Sequence, residues 1–199
     1  MRHDVDLSIK KALEFAEFEA NIGINSTYYI LTNGEFYNPF CTTNIEKIKM
    51  IKDLGHNIGL HYDLTSIKDG DPEAQCLNIQ AHRAILEYAL KYEIRTISFH
   101  NKGNLPNYEL LTQLNLVDMV CPDMDQRFKF ITDHGGKWTE DPIDVIMNYT
   151  NIQMNTHPLW WSESTSEWQS KIHNLGLDLD LDKIIAKTIN NINSYRENK

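Results

Sequence analysis

Strand-like and helical segments alternate along most of this chain, and this alternation constrains its fold more than any other feature. A short first strand ends by Val5, and further strands are predicted over 26–31, 56–61, 96–100, 116–120, 128–131 and 151–156. Helices are predicted over 7–23, 44–54, 72–92, 108–114, 142–149 and 181–195. For the helix over 72–92, the predicted buried face contains Leu77, Ala81, Ile85 and Ala89. The alternation predicts an α/β fold with a mostly parallel sheet, open or closed into a barrel.

The composition predicts one globular domain over 1–199, because 199 residues with 41% hydrophobic and 24% charged residues are typical of a single domain. A net charge of -9 argues against binding of nucleic acid or anionic membrane, so a small molecule or glycan is the expected partner. The sequence has no signal-peptide pattern and no apolar run near the ~18 residues of a spanning helix. Together with three cysteines that form no CxxC pair, this predicts a cytoplasmic protein with reduced thiols; the oligomeric state is not predicted.

Titratable side chains follow five of the predicted strands at the points where those strands end. They are Asp4 and Asp6, His61, His100, Asp133, and His157. The carboxyl ends of parallel strands meet at one face, which in β/α barrels carries the active site. These residues are therefore predicted to form one site, whereas His82 and His173 lie on predicted helices and are predicted to be surface residues.

The first of these groups contains two carboxylates, Asp4 and Asp6, two residues apart. In an extended chain, side chains at this spacing point the same way. Two carboxylates in one site suit a metal ligand beside a general base. The alternative is that Asp6 and Ser8 only cap the helix that follows.

Five motifs, taken in order, resemble those of the polysaccharide deacetylase family, which contains the nodulation-type chitooligosaccharide deacetylase domain. They are Asp-Val-Asp at 4–6, Ser-Thr-Tyr-Tyr at 26–29, Gly-His-Asn-Ile-Gly-Leu-His at 55–61, the segment from Asp133 to Trp138, and Thr-His-Pro at 156–158. The resemblance covers most of the chain and implies a distorted (β/α)7–8 barrel with mostly parallel strands. It implies that Asp4 is the general base and that His157 is the general acid. It also implies that Asp6 and His61 bind a metal.

The metal-binding motif departs from the family pattern. A second metal histidine is expected four residues after His61, but Thr65 occupies that position. His100, at the next strand end, is in a position to supply the missing nitrogen, and Asp63 is the weaker substitute. The alternative is that His100 has a structural role.

Two further departures concern the general base. His100 and Asn101 stand where the family often has an arginine-proline segment that orients the base, so Arg2 or Lys137 is expected to replace it. Asp133 is assigned a supporting role beside the catalytic groups.

The first strand has at most five residues, which indicates either a short strand or missing residues before Met1.

The resemblance implies a hydrolase that acts on carbon-nitrogen bonds other than peptide bonds and removes acetyl from an N- or O-acetylated sugar or glycan precursor. The expected cofactor is a divalent metal, zinc by default, with Co²⁺, Ni²⁺ or Fe²⁺ as alternatives. Tyr62, Trp138, Trp160 and Trp161 are expected to form an apolar platform for a sugar ring. The alternatives are a metal-independent amide or ureide hydrolase of the same fold and an inactive sugar-binding module.

Overall fold

The computed structural model describes residues 1–66, 71–100, 111–112, 114–119, 121–161 and 168–177. The chain divides into two compact units, Met1–Glu163 and Ser164–Lys199. The helix predicted over 181–195, and most of the helix predicted over 108–114, lie outside the described residues. The prediction of one domain over 1–199 stays a prediction.

The described strands of the first unit form one seven-stranded sheet in the order β5-β4-β3-β2-β1-β7-β6, in which every pairing is parallel. The strands are β1 (Arg2–Val5), β2 (Thr27–Leu31), β3 (Asn57–Tyr62), β4 (Thr96–Phe99), β5 (Val117–Asp118), β6 (Lys129–Thr132) and β7 (Ile152–Thr156). The sheet curls into an incomplete barrel, which confirms the predicted fold class. Across the curl, the Gln153 amide donates to the Met119 carbonyl at 2.9 Å.

The helices that surround the sheet begin at recognisable caps. They are α1 (Ile9–Asn21), α2 (Thr42–Asp53), α3 (Pro72–Leu90), α4 (Pro122–Arg127) and α5 (Pro142–Asn148), and α6 (Trp168–Leu177) belongs to the second unit. Ser8 caps α1 by accepting a hydrogen bond from the Lys11 amide. Asp71 and Asp141 cap α3 and α5, each directly before a proline. Helix α4 was not predicted, because its six residues are mostly polar and show no apolar period.

The two faces of the sheet differ in polarity. Residues that point outward pack against the helices and form the apolar core, which includes Tyr28, Ile30, Leu60, Ile97, Ile48 and Ile79. Residues that point inward include a buried polar set: Arg2, Asp4, Ser98 and Asn155. Because successive side chains of a strand alternate between faces, the strands supply both surfaces at once. The polar interior therefore lies directly beneath the carboxyl ends of the strands.

The predicted buried face of α3 is wrong. Helix α3 buries Gln75, Cys76, Ile79, Leu86 and Leu90, whereas Leu77 is 67% exposed and Ile85 is 50% exposed. The predicted face followed a strict four-residue spacing, which drifts around a helix of 3.6 residues per turn. The observed face mixes three- and four-residue steps and stays on one side.

Strand β1 lies in the middle of the sheet between β2 and β7, and all four of its residues are buried. Arg2 and His3 pair with Asn155 and Thr156 of β7. The short first strand therefore sits in the interior of the sheet and not at a frayed edge. Within the described ranges, no helix is both long enough and apolar enough to cross a membrane.

Candidate active site

Asp6, His61 and His100 meet at the carboxyl ends of β1, β3 and β4. The Asp6 Oδ1 atom lies 3.1 Å from His61 Nε2 and 3.1 Å from His100 Nδ1, and one ligand atom from each residue lies within 4.8 Å of the others. Zinc bonds of about 2.0–2.1 Å place neighbouring ligand atoms roughly 3.3 Å apart in a tetrahedral site. The spacing fits three ligands of one divalent cation.

The hydrogen bonds of His61 fix which nitrogen faces this site. His61 Nδ1 lies 2.8 Å from the Ser98 carbonyl oxygen, so Nδ1 carries the proton of this hydrogen bond and Nε2 faces Asp6. His61 Nε2 and Asp6 Oδ1 are both buried and lie 3.1 Å apart. A buried imidazole nitrogen and a buried carboxylate oxygen at this spacing suit a metal ion.

Asp6 is held in its charged form. Burial raises the pKa of the Asp6 carboxyl, but the contacts with His100 and His61 outweigh burial and hold the pKa well below its usual value. An ionised carboxylate is the form that binds a metal. Asp6 does not cap α1, because Ser8 occupies that role.

The hydrogen bonds to the Asp4 carboxylate all go to one of its two oxygens. Its Oδ2 atom accepts hydrogen bonds from Arg2 Nη2 at 2.9 Å, Asn155 Nδ2 at 3.1 Å and Ser98 Oγ at 3.3 Å. Its Oδ1 atom is buried and has no hydrogen-bond partner. Burial raises the pKa of Asp4, but the charges of Arg2 and His61 outweigh burial and lower it. The free Oδ1 atom is therefore a charged acceptor, as a general base requires.

Arg2 reaches Asp4 from the same strand and lies over the rings of Tyr29 and Phe130, at 5.5 and 5.9 Å from their centroids. Of the two side chains expected to replace the missing arginine, Lys137 is exposed and Arg2 is 4% exposed. The contact with Asp4 is therefore made by Arg2. Sequence analysis did not identify Ser98 or Asn155, because a serine or an asparagine in a strand carries no sequence signal of such a role.

His157 is held by Asp133. Its Nδ1–H donates to Asp133 Oδ1 at 2.6 Å and its backbone N–H donates to Asp133 Oδ2 at 3.0 Å. The other ring nitrogen, Nε2, lies 3.7 Å from Asp6 Oδ2. Burial lowers the pKa of His157, but the Asp133 hydrogen bond and the Asp6 charge outweigh burial and raise it. The charged form of His157, which can give up a proton, is therefore favoured.

A small cleft opens at the ends of β1 and β7. Asp4, Asp6, His157 and Trp160 line it, together with Leu7 and Leu159. The predicted base, one predicted metal ligand and the predicted acid thus face the same small space.

The four aromatic residues of the predicted sugar platform are not equivalent. Trp138 and Trp161 lie with ring centroids 5.3 Å apart, and Trp161 is 41% exposed while its Nε1–H donates to Asp133 at 2.5 Å. Tyr62 was predicted to belong to the sugar platform, but it is 0% exposed and its hydroxyl donates to Asn78 of α3. Tyr62 follows His61 on β3 and so points to the opposite face of the sheet, which keeps it away from a substrate.

The prediction that His82 is a surface residue is wrong. His82 is half-buried and packs against the ring of Tyr62.

Asp63, the weaker candidate for the missing ligand, lies in the loop after β3. Asp63 Oδ1 accepts hydrogen bonds from the Thr65 amide at 2.8 Å and the Thr65 hydroxyl at 2.7 Å. Asp63 therefore closes a local turn. In the described part of the chain, the group that could hold a metal contains His100 and not Asp63.

Comparison of the sequence with protein-family models and with curated proteins gives no match. Comparison of the structure identifies the fold as that of the polysaccharide deacetylases, carbohydrate esterase family 4 (CE4), as the sequence motifs predicted.

Three solved structures illustrate this likeness. BA3943 of Bacillus anthracis, a CE4 family pseudoenzyme, is 14% identical with a TM-score of 0.57, and the match covers 89% of this chain and 60% of that one. Peptidoglycan deacetylase PdaC of Bacillus subtilis is 14% identical with a TM-score of 0.53, covering 98% of this chain and 94% of that one. A family 4 carbohydrate esterase of Streptomyces lividans, in complex with acetate, is 10% identical with a TM-score of 0.53, covering 87% and 82%. This chain spans 60% of the length of the Bacillus anthracis protein.

Proposed function

We propose that this protein is a metal-dependent hydrolase that removes an acetyl group from an N- or O-acetylated sugar or glycan precursor. The observation that carries the proposal is the convergence of Asp6, His61 and His100 beside a free carboxylate oxygen of Asp4. The similarity of the fold to an esterase in complex with acetate and to a peptidoglycan deacetylase supports it.

Asp6, His61 and His100 are the residues that would hold the metal. A bound divalent cation polarises an acyl carbonyl and lowers the pKa of a nearby water. Zinc suits this set of one carboxylate and two imidazoles, and Co²⁺, Ni²⁺ and Fe²⁺ also accept it. His100 replaces a histidine from the loop after β3, where Thr65 is bound to Asp63 instead.

The two proton transfers are assigned to opposite sides of the cleft. Asp4 Oδ1 takes the proton of the attacking water as the new carbon-oxygen bond forms. His157 Nε2 gives its proton to the leaving nitrogen or oxygen as the bond from that atom to the acyl carbon breaks. Asp133 keeps His157 in the orientation that this transfer needs.

Metal analysis of the purified protein tests the proposal. Wild type is compared with His61→Ala and His100→Ala after incubation with Zn²⁺ or Co²⁺, and Thr65→Ala is the matched control. We expect close to one metal per chain in wild type and Thr65→Ala, and loss of metal in both histidine variants. Acetate release is measured in parallel on chitopentaose and 4-nitrophenyl acetate, an amide and an ester.

The outcomes separate the candidate functions. Stoichiometric metal with acetate release on either probe supports a metal-dependent deacetylase. Acetate release without metal overturns metal dependence and leaves a metal-independent hydrolase of the same fold. Sugar binding without turnover overturns the enzyme and leaves a binding module.

A further inference from the structure

Asn155 contacts the predicted general base from the neighbouring strand. It lies on β7 and is 4% exposed, and its Nδ2 atom lies 3.1 Å from Asp4 Oδ2 and 3.4 Å from Thr132 Oγ1. Only the NH₂ end of an amide can donate to a carboxylate oxygen. The orientation of the Asn155 side chain is therefore set by Asp4.

The same orientation leaves the other end of the amide without a partner. Asn155 Oδ1 is buried and has no hydrogen-bond partner in the structure. A buried, unpaired carbonyl lowers stability. A leucine of similar volume would avoid this cost but would lose the hydrogen bonds to Asp4 and Thr132, so the two effects on stability oppose each other.

Asn155 completes a set of three donors on a single oxygen of Asp4. Arg2 comes from β1, Ser98 from β4 and Asn155 from β7, and all three donate to Oδ2. With Oδ2 saturated, the carboxylate cannot exchange its two oxygens by rotation without breaking several hydrogen bonds at once. The free oxygen of Asp4 is thus always Oδ1.

The position of Asn155 also relates the base to the acid. Asn155 lies two residues before His157 and Asp4 lies two residues before Asp6, and both Asp6 and His157 directly follow the ends of their strands. Strands β1 and β7 are hydrogen-bonded neighbours with Arg2 paired to Asn155. Strand β7 therefore directly precedes the predicted acid, His157, and also supplies a hydrogen bond to the predicted base, Asp4.

We propose that Asn155 is a positioning residue that fixes Asp4 with Oδ1 toward the reacting water, at a set distance from His157. The proposal rests on the proposed function and deepens it. A residue that is retained for this purpose is expected to raise turnover, with opposing effects on stability that nearly cancel.

The test is Asn155→Leu, which keeps the volume and removes both amide groups. We expect kcat for acetate release from 4-nitrophenyl acetate or chitopentaose to fall at least ~10-fold, as for other supporting partners of a site. We expect KM within about twofold of wild type, unchanged metal per chain, and a Tm close to that of wild type, because removal of the unpaired carbonyl offsets loss of the hydrogen bond to Asp4. Ser98→Ala, which removes the longest of the three bonds, is expected to lose less activity.

Thr132→Val is the matched control, because it removes the other contact of the Asn155 amide without touching Asp4. We expect it to keep wild-type kcat. A wild-type kcat in Asn155→Leu overturns this inference but leaves the proposed function intact. A fall in kcat together with a lower Tm or lost metal assigns Asn155 a structural role and also overturns it. An inactive wild type refutes the proposed function first, and the two failures are thereby distinguished.

Discussion

Asp133 binds His157 at two points, through the ring Nδ1–H at 2.6 Å and through the backbone N–H at 3.0 Å. Asp133 is 0% exposed, so this carboxylate has little freedom to move. The pair fixes the plane of the imidazole and its protonated nitrogen. His157 Nε2 is consequently directed into the cleft with Asp4 and Asp6.

We expect Asp133→Asn to lower kcat by about 10²-fold, because the amide keeps the shape of the side chain but removes the charge that favours protonated His157. Steady-state kinetics on 4-nitrophenyl acetate and metal content provide the measurement. The metal content is expected to be unchanged, because Asp133 is not among the three grouped ligands. Trp161→Phe removes only one donor from Asp133 and serves as the milder control. Unchanged turnover in Asp133→Asn contradicts this role for the pair.

A second buried network lies on the other face of β1. His3 Nε2–H donates to Glu19 Oε1 at 2.9 Å, and Glu19 also accepts from Ser26 at 2.7 Å and Tyr28 at 2.8 Å. Burial lowers the pKa of His3 despite the Glu19 charge. Burial raises the pKa of Glu19, but the His3 hydrogen bond and the other donors outweigh burial and lower it. The folded state therefore favours neutral His3 and charged Glu19.

Both shifts make stability fall on acidification. Below the ordinary histidine pKa of about 6.5, the unfolded chain takes up a proton that folded His3 resists, which changes the free energy of unfolding by up to about 1.4 kcal/mol per pH unit. Glu19 adds to the loss at lower pH, as pH falls through its depressed pKa. We expect Tm to fall between pH 6.5 and 5.5, and the slope to be smaller in His3→Gln, which keeps the donor to Glu19 but does not titrate. An equal slope in the variant removes His3 as the cause.

The sequence allowed the site to be predicted where the fold repeats a simple rule. Parallel strands bring their carboxyl ends together, so the positions of Asp6, His61 and His100 after β1, β3 and β4 were sufficient to predict that they meet. The same rule placed Asp4 and His157 at one cleft. It failed for Tyr62, because adjacency to His61 in sequence was taken as adjacency in the site, although neighbouring strand residues face opposite ways.

Buried polar partners could not be predicted in the same way. Glu19 lies on α1, where a charged residue is expected to be exposed. Its burial depends on three donors: His3 of β1, Tyr28 of β2 and Ser26, the residue before β2. Asn155 and Ser98 likewise acquire their roles only when β7 and β4 curl around Asp4. Such contacts depend on tertiary geometry, which local sequence patterns do not contain.

Gly59 provides the space for the aromatic ring that supports Arg2. Gly59 pairs with Tyr29 across β2 and β3, and a Cβ at position 59 would overlap the Tyr29 ring and lie 2.9 Å from Thr96 Oγ1. We expect Gly59→Ala to lower the free energy of unfolding by about 1–3 kcal/mol, because a packed sheet cannot give way cheaply. Thermal unfolding measures the loss. Tyr29→Leu in the same chain is expected to relieve the overlap, so the double variant loses less than the sum of the singles. Additive losses contradict this explanation.

The paired rings of Trp138 and Trp161 offer a test of sugar binding that is independent of the acetyl chemistry. Trp161 also holds Asp133 through its Nε1–H, so Trp138 is the cleaner probe. We expect Trp138→Ala to raise KM for chitopentaose by up to about 10-fold, which corresponds to the loss of an aromatic contact of about 1.4 kcal/mol. The KM for 4-nitrophenyl acetate is expected to stay the same, because this probe has no sugar ring. Tyr62→Phe is the control: it removes the hydroxyl contact with Asn78 and is expected to change Tm but neither KM. An equal change of KM on both probes, or on neither, means that the tryptophan pair does not bind the sugar.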